Sequence, residues 1–394
     1  MTGPDAAELS TPQASGDAAG GHILARAAVI ATAAVFGLTY SLSAPLVALG
    51  LAQHGVSQTV IGANAAMHAV GVLVTALLLP RMVARFGARR IIIGSLGLST
   101  LTLMAFPAVP SIWLWFPLRL VLGMAAEALF VTSETWINAL STESTRARAM
   151  AAYTAALSVG LALGPFILSL VGSGGLLPYG LGAAICLAAV VFIASPRVPA
   201  PHFDEPSVDS PVHYLRLAPL ALGATALNAA IETAGLSFLA LYAIGLGWGE
   251  QDATRLMSVM MVGAILLQLP IGWLGDTVDR RRLVIALAVF AALGAAVWPL
   301  ALGHAVATYG LLFVWGGAFV GIYTIMITIV GARFKGGDLV GIYAVSGLFW
   351  GFGALLGPLL AGVSMQAHVH GLAIFAAISC TLFALAAWRL RDAS

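Results

Sequence analysis

The sequence predicts an all-α membrane protein: twelve transmembrane helices in two pseudo-symmetric six-helix bundles. Three observations predict it. Of 394 residues, 60% are hydrophobic and only 9% charged, whereas a water-soluble domain carries about 25% charged residues. The apolar residues fall into twelve runs, each close to the ~20 residues a helix needs to cross ~30 Å of hydrocarbon. The longest polar interruption, at about 196–214, divides those runs six and six. A membrane barrel is excluded, because the runs are too long and do not alternate.

Residues 1–21 read as a disordered cytoplasmic tail. Asp5, Glu8 and Asp17 make it acidic, unlike the basic start of a signal peptide, so the first apolar run is a true span. Helices 1–6 are predicted at roughly 24–51, 58–82, 90–109, 112–140, 147–171 and 178–195, inside an N-terminal bundle covering 22–196. The Pro-rich, charged segment 197–213 reads as a cytoplasmic linker. Helices 7–12 are predicted at roughly 215–246, 253–275, 282–302, 306–333, 339–364 and 370–389, inside a C-terminal bundle covering 214–394.

Orientation follows from the basic residues. With the N-terminus inside, 16 of the 18 Lys and Arg fall in cytoplasmic segments or helix ends. They are Arg26, Arg81, Arg85, Arg89, Arg90, Arg146, Arg148, Arg197, Arg216, Arg280, Arg281, Arg282, Arg333, Lys335, Arg389 and Arg391. Arg255 falls outside and Arg119 lies within a span. The positive-inside rule therefore places both termini in the cytoplasm. The net charge of +2 is not gathered on one soluble face, so no nucleic-acid partner is expected. Cys186 and Cys380 stand alone in apolar runs and form neither a metal motif nor a disulfide framework. There is no P-loop, nucleophile elbow or metal-ligand spacing, so no cofactor, ATP motor or enzyme activity is expected.

The halves repeat each other. "LPRMVARFGARR" (79–90) is echoed by "LPIGWLGDTVDRRR" (269–282), and "GLALGP" (160–165) by "GALLGP" (353–358). Each G-x-x-x-G-P combines small-xxx-small spacing, which lets helices approach closely, with a proline that loosens the helix. Two motifs recurring at matched positions indicate duplicated bundles, a usual transporter architecture.

On these motifs, residues of roughly 22–390 resemble the major facilitator superfamily. The loop signature G-x-x-x-D-x-x-G-R-R is matched at Gly272, Asp276, Arg280 and Arg281, with Asp279 where glycine is usual. The N-terminal copy keeps Arg85, Gly87, Arg89 and Arg90 but has Ala84 in place of the aspartate. Arg119 and Gly123 match the helix-4 pattern R-x-x-x-G. Gly160, Gly164 and Pro165 resemble the antiporter motif, although helix 11 repeats the pattern at Gly353, Gly357 and Pro358. The run 133–165 is similar to a bacterial branch, which implies a bacterial cytoplasmic (inner) membrane. The resemblance also implies that the first helix of each three-helix repeat lines a central cavity. Polar residues do concentrate in helices 1, 4, 7 and 10, while helices 6, 9 and 12 are apolar enough to face lipid all round.

Ionisable groups at a helix centre cost about 2.5–3.5 kcal/mol each on insertion scales, so each needs a reason. Glu127 lies near the middle of helix 4, Glu232 near the middle of helix 7, and Arg119 about 10 Å in from the far end of helix 4. Arg119 either tunes the protonation of Glu127 or binds an anionic group of the solute; otherwise the two are a structural pair. Asn228 and Glu232, at i and i+4, read as a hydrogen-bonded pair with Glu232 a proton or cation site, or as one end of a salt bridge to Arg119. His68, one turn from Asn64, suits proton relay or is a satisfied buried histidine. Tyr40, Tyr323, Tyr343 and Trp350 are candidate solute contacts, against packing or interface anchoring. Glu134 with Arg85, Arg89, Arg90, Arg146 and Arg148, and Asp276 with Arg280, read as a cytoplasmic charge lock, or as topology-setting charge alone. Gly164, Pro165, Gly357 and Pro358 are candidate gating positions. The Met residues of "MSVMM" (257–261) read as helix packing.

The expected function is secondary active transport coupled to protons, exporting a small organic or drug-like solute by alternating access. An uptake symporter for an organic anion is the second transport reading, and a transporter-like receptor or scaffold that does not translocate is the rival of another class. The expected partners are a small solute, protons and the lipid bilayer, with the monomer as the working unit.

Overall fold

The computed structural model describes residues 13–195, 217–334 and 336–390. Among the described residues the chain forms twelve long helical segments, one of them in two pieces, and no strand. The N-terminal half holds α1 (Gln13–Gln53), α2 (Gln58–Phe86), α3 (Ala88–Ala108), α4 (Trp115–Ala139), α5 (Glu143–Val171) and α6 (Leu177–Ile193). The C-terminal half holds α7 (Pro219–Gly245), α8 (Glu250–Thr277), α9 (Arg280–Ala301), α10 (Ala305–Arg333), α11 (Gly336–Ala367) and α12 (Gly371–Arg389). Eleven are long and apolar enough to cross a membrane; α6, at 17 residues, is a shorter apolar helix.

Two sequence expectations need correction. Within the segment expected to be a tail, residues 13–21 are the start of α1 (Gln13–Gln53). Helix 8 is not continuous: it breaks at Leu267 into Glu250–Leu266 and Gln268–Thr277. The linker 197–213, together with Arg197, Arg216, Lys335 and Arg391, lies outside the described residues.

Local chemistry sets several boundaries. Gly87 joins α2 to α3 at φ +79°, a left-handed conformation that favours glycine. Asp279 stands at the start of α9, where its carboxylate accepts the Arg282 N–H at 2.8 Å. This is an N-cap, and it accounts for aspartate where glycine was expected. Arg26 donates to the Leu140 carbonyl at the end of α4, and Arg281 to the Ala387, Trp388 and Leu390 carbonyls at the end of α12. These cations meet the unpaired carbonyls and the negative pole of a helix C-terminus.

The packing repeats between halves. α1 packs on α5, α2 on α4 and α3 on α6, as α7 packs on α11, α8 on α10 and α9 on α12. Glycines make these approaches possible. A Cβ on Gly160 would collide with the Ala34 carbonyl of α1, and one on Gly353 with the Ala226 carbonyl of α7. Gly123 meets the His68 carbonyl of α2, and Gly316 the Met260 carbonyl of α8. Met257, Met260 and Met261 are buried, in keeping with a packing role.

α6, α9 and α12 lie on the outside, but each faces lipid on one side rather than all round. Leu187, Val191, Leu293, Leu300, Ile378 and Leu382 are exposed, whereas Ala183, Cys186, Ala291, Ala295, Cys380 and Phe383 are buried. Each of these helices must still cover its own bundle. Trp113, Trp273 and Trp388 are exposed near helix ends, where indole rings suit a membrane interface.

Candidate functional site at the junction of the two halves

The halves meet through α2 with α11, α5 with α8, and α1 with α7. One end of the molecule carries the start of α1 and the end of α12; the opposite end is here termed the remote end. The contacts are tight at the remote end. Gln58 N–H donates to Gln366 Oε1 at 3.0 Å, and Ser173 N–H to Glu250 Oε1 at 2.7 Å. Both of these hydrogen bonds cross from one half to the other. Gln53 Nε2 donates to Ser173 Oγ at 3.0 Å, bringing α1 into the same cluster. Gly62 of α2 lies against the Pro358 carbonyl and Gly362 of α11, so the two backbones touch.

At the other end the predicted charge lock is not closed. Among the described residues the ion pairs are Arg255–Asp252 and Arg280–Asp276, each within one half. Arg280, at 3.3 Å from Asp276, also donates to the Gly275 carbonyl. Arg85, Arg90, Arg146 and Arg148 are exposed, and Glu134 is half-buried with no described cation within 4 Å. Arg89 Nε is buried without a partner. Among the described residues, the hydrogen bonds that join the two halves therefore lie at the remote end.

Between these ends lie the intramembrane polar groups. Arg119 of α4 is 2% exposed and donates to Ser43 Oγ of α1 at 3.3 Å, while its Nε is buried without a partner. No described carboxylate pairs with it. The two structural pairings expected for it, with Glu127 and with Glu232, are thus absent. Arg119 and Glu127 are eight residues apart, roughly 12 Å along the helix. The guanidinium instead lies in the field of Tyr40, Tyr179 and His68.

Glu127 is half-buried, in the field of Glu134, with no described cation beside it. Asn228 Nδ2 donates to Glu232 Oε2 at 3.3 Å, as the i, i+4 spacing predicts. Tyr40 lies between the halves, in the field of both Glu232 and Arg119. Its ring is 5.2 Å from that of His68 and 6.0 Å from that of Phe36. A void about one water wide sits behind it, beside Thr39, Ser43, His68 and Ser99. Asn64 Nδ2 and His68 Nδ1 are buried and unpartnered.

Other predicted residues are placed differently. Tyr323 of α10 is half-buried in the field of Tyr343, Glu134 and Glu232, so it does face the cleft. Tyr343 is 43% exposed with its hydroxyl beside Gly331, nearer the end bearing the termini than the level of Tyr40. Trp350 packs with Ala69, Ala229 and Ala354, where α2, α7 and α11 meet. Gly164, Pro165, Gly357 and Pro358 are buried within helix contacts. Gly164 lies against Ser41 and Leu42 of α1, and Gly357 against Ala230 of α7.

Sequence reasoning missed Phe36, Tyr179 and Gln268. Gln268 opens the second segment of α8, with Nε2 donating to the Ala264 carbonyl and Oε1 accepting from Thr324 of α10 at 2.5 Å. A lone amide within "GAILLQLPIG" was a usable signal. The two aromatics gave none, since aromatic residues are ordinary in apolar runs.

The family profile described as Major Facilitator Superfamily matches residues 29–328 and 220–394. Among curated relatives, the uncharacterized MFS-type transporter YfkF of Bacillus subtilis is 25% identical over 346 residues, 84% of this chain and 86% of the relative. YcaD of Salmonella enteritidis, also an uncharacterized MFS-type transporter, is 26% identical over 358 residues, 88% and 90% of the two chains. Among solved structures, the nucleoside transporter NupG superposes with a TM-score of 0.79 at 16% identity, covering 93% of this chain and 99% of its own. A D-xylose-proton symporter gives a TM-score of 0.74 at 15% identity, covering 93% and 97%.

Proposed function

The chain belongs to the Major Facilitator Superfamily, and from that premise we propose that it is a proton-coupled secondary transporter exporting a small organic solute by alternating access. The observation that carries the reading is a pair of acidic side chains, Glu127 and Glu232, half-buried at mid-span on α4 and α7, with no described cation to neutralise them. Such groups bear their insertion cost where they face a water-reachable cavity. Protonation alters the balance between two conformations only if the proton binds them differently. Carboxylates in a cleft that opens to one side and then the other meet that condition. The D-xylose-proton symporter of the same fold supports coupling to protons.

On this reading the end bearing the termini faces the cytoplasm of a bacterial inner membrane, in line with the basic residues there, and the structure is the inward-open state. Glu134 with Arg85, Arg89, Arg90, Arg146 and Arg148 forms a charge cluster at that end, all of it within the N-terminal half. Residues 197–213 link the halves, and the monomer is the working unit. Export is favoured by a cleft with few fixed polar groups and aromatic walls. Uptake of an organic anion is the second reading, favoured by an Arg119 that lacks a carboxylate partner.

The test is a solute panel in everted vesicles with a pH-sensitive dye. Glu127→Gln and Glu232→Gln should each lower proton-linked flux by about tenfold or more, and full flux in both sinks the assignment. Transport of neutral lipophiles that survives Arg119→Ala selects export over anion uptake.

A further inference from the structure

We propose that the cleft recognises a small zwitterion, its carboxylate turned to Arg119 of the N-terminal half and its ammonium to Glu232 of the C-terminal half. The proposal rests on the transport reading and narrows its solute. Among Asn64, Arg119 and Asn228, the residues on α2 and α4 leave donors unused and the residue on α7 leaves an acceptor. In the N-terminal half the buried unpartnered atoms include Arg119 Nε and Asn64 Nδ2, both donors, together with His68 Nδ1. In the C-terminal half the unpartnered atom on α7 is Asn228 Oδ1, an acceptor, while Asn228 Nδ2 donates to Glu232. Asn64, Arg119 and Asn228 are 1%, 2% and 9% exposed, so bulk water does not satisfy them. Buried polar atoms without partners are costly, and a ligand that supplies the complementary atoms recovers that cost.

Charge selects among ligands. Tyr40 lies in the field of Arg119 and of Glu232, so charges of both signs act on one side chain between them. An anion would satisfy Arg119 and Asn64 but bring negative charge toward Glu232, with Glu127 and Glu134 nearer the open end. A cation would satisfy the acids but lie close to an uncompensated guanidinium. A neutral polar solute would leave both charges uncompensated in a low dielectric. A zwitterion settles both at once, and because its poles are held by different halves, its affinity changes as the halves move.

The experiment uses the full-length protein in nanodiscs and matched triplets: an amino acid, its decarboxylated amine and its deaminated acid. The panel covers α-amino acids with apolar, polar and aromatic side chains, and ω-amino acids from glycine to 6-aminohexanoate, whose chain length reads the gap between the two charges. At least one zwitterion should raise the unfolding temperature and bind about tenfold or more tighter than its amine and its acid. Arg119→Gln should erase the preference over the amine, and Glu232→Gln the preference over the acid. The proposal is overturned if no zwitterion binds, or if an amine or acid binds as well as the best zwitterion. Should either variant fail to fold, the wild-type triplets decide alone. Counterflow in proteoliposomes separates the two readings. Proton-linked flux of another solute while every triplet fails overturns the zwitterion and keeps transport; zwitterion binding without flux sustains the recognition and overturns transport.

Discussion

A guanidinium at membrane depth without a carboxylate beside it lowers the stability of the fold that carries it. Among the described residues Arg119 has one hydrogen-bond partner, Ser43. Replacing a poorly compensated buried charge by an apolar side chain of similar length is often neutral or stabilising. Arg119→Met should therefore hold or raise the unfolding temperature in detergent, while transport of a solute whose carboxylate Arg119 holds falls by about tenfold or more. A purely structural arginine would show the reverse, with a lowered unfolding temperature and retained flux. Asp279 gives a second case. Asp279→Ala should cost about 1 kcal/mol through the lost cap and Asp279→Gly only a few tenths, read by unfolding in denaturant. The charged and amide residues of the candidate site stood out in the sequence because each interrupts an apolar run: Arg119, Glu127, Asn228, Glu232, and in retrospect Gln268. Their partners were not legible. Nothing in the sequence says that Arg119 turns to Ser43 rather than to an acid, since that depends on how α1 sits against α4.

The glycines decide how closely the helices sit. Gly160 and Gly353 occupy equivalent places, each pressed against a backbone carbonyl of the first helix of its own half. Gly160→Ala and Gly353→Ala should each destabilise by about 1–3 kcal/mol, because the new methyl meets rigid backbone. A methyl added at Gly180, on α6, would meet nothing within 4 Å. Gly180→Ala should instead stabilise by up to about 1 kcal/mol through helix propensity. Opposite signs for the same chemical change, measured by thermal unfolding, test the close approach itself. The repeated G-x-x-x-G-P motif made this contact readable, because small residues at a four-residue spacing have few other uses inside a membrane. The break in α8 at Leu267 was not readable: the apolar run passes through it unchanged.

The duplicated plan of the molecule was legible from the echoed motifs and the central polar stretch, but which end is joined was not. The pairs that join it are 77 and 308 residues apart in sequence. On the alternating-access reading they also belong to one of two arrangements of the same residues. Joining Gln58→Cys to Gln366→Cys by a disulfide should arrest solute flux, and a reductant should restore it. Flux that continues through the oxidised protein would show that α2 and α11 do not part there during the cycle. The two natural thiols bear on how such work is done. Cys186 and Cys380 are both 0% exposed, each in the last helix of its half. A water-borne maleimide therefore meets neither, and any sulfhydryl introduced along the cleft reports alone, so the native chain serves as its own blank for mapping which positions each side of the bilayer can reach.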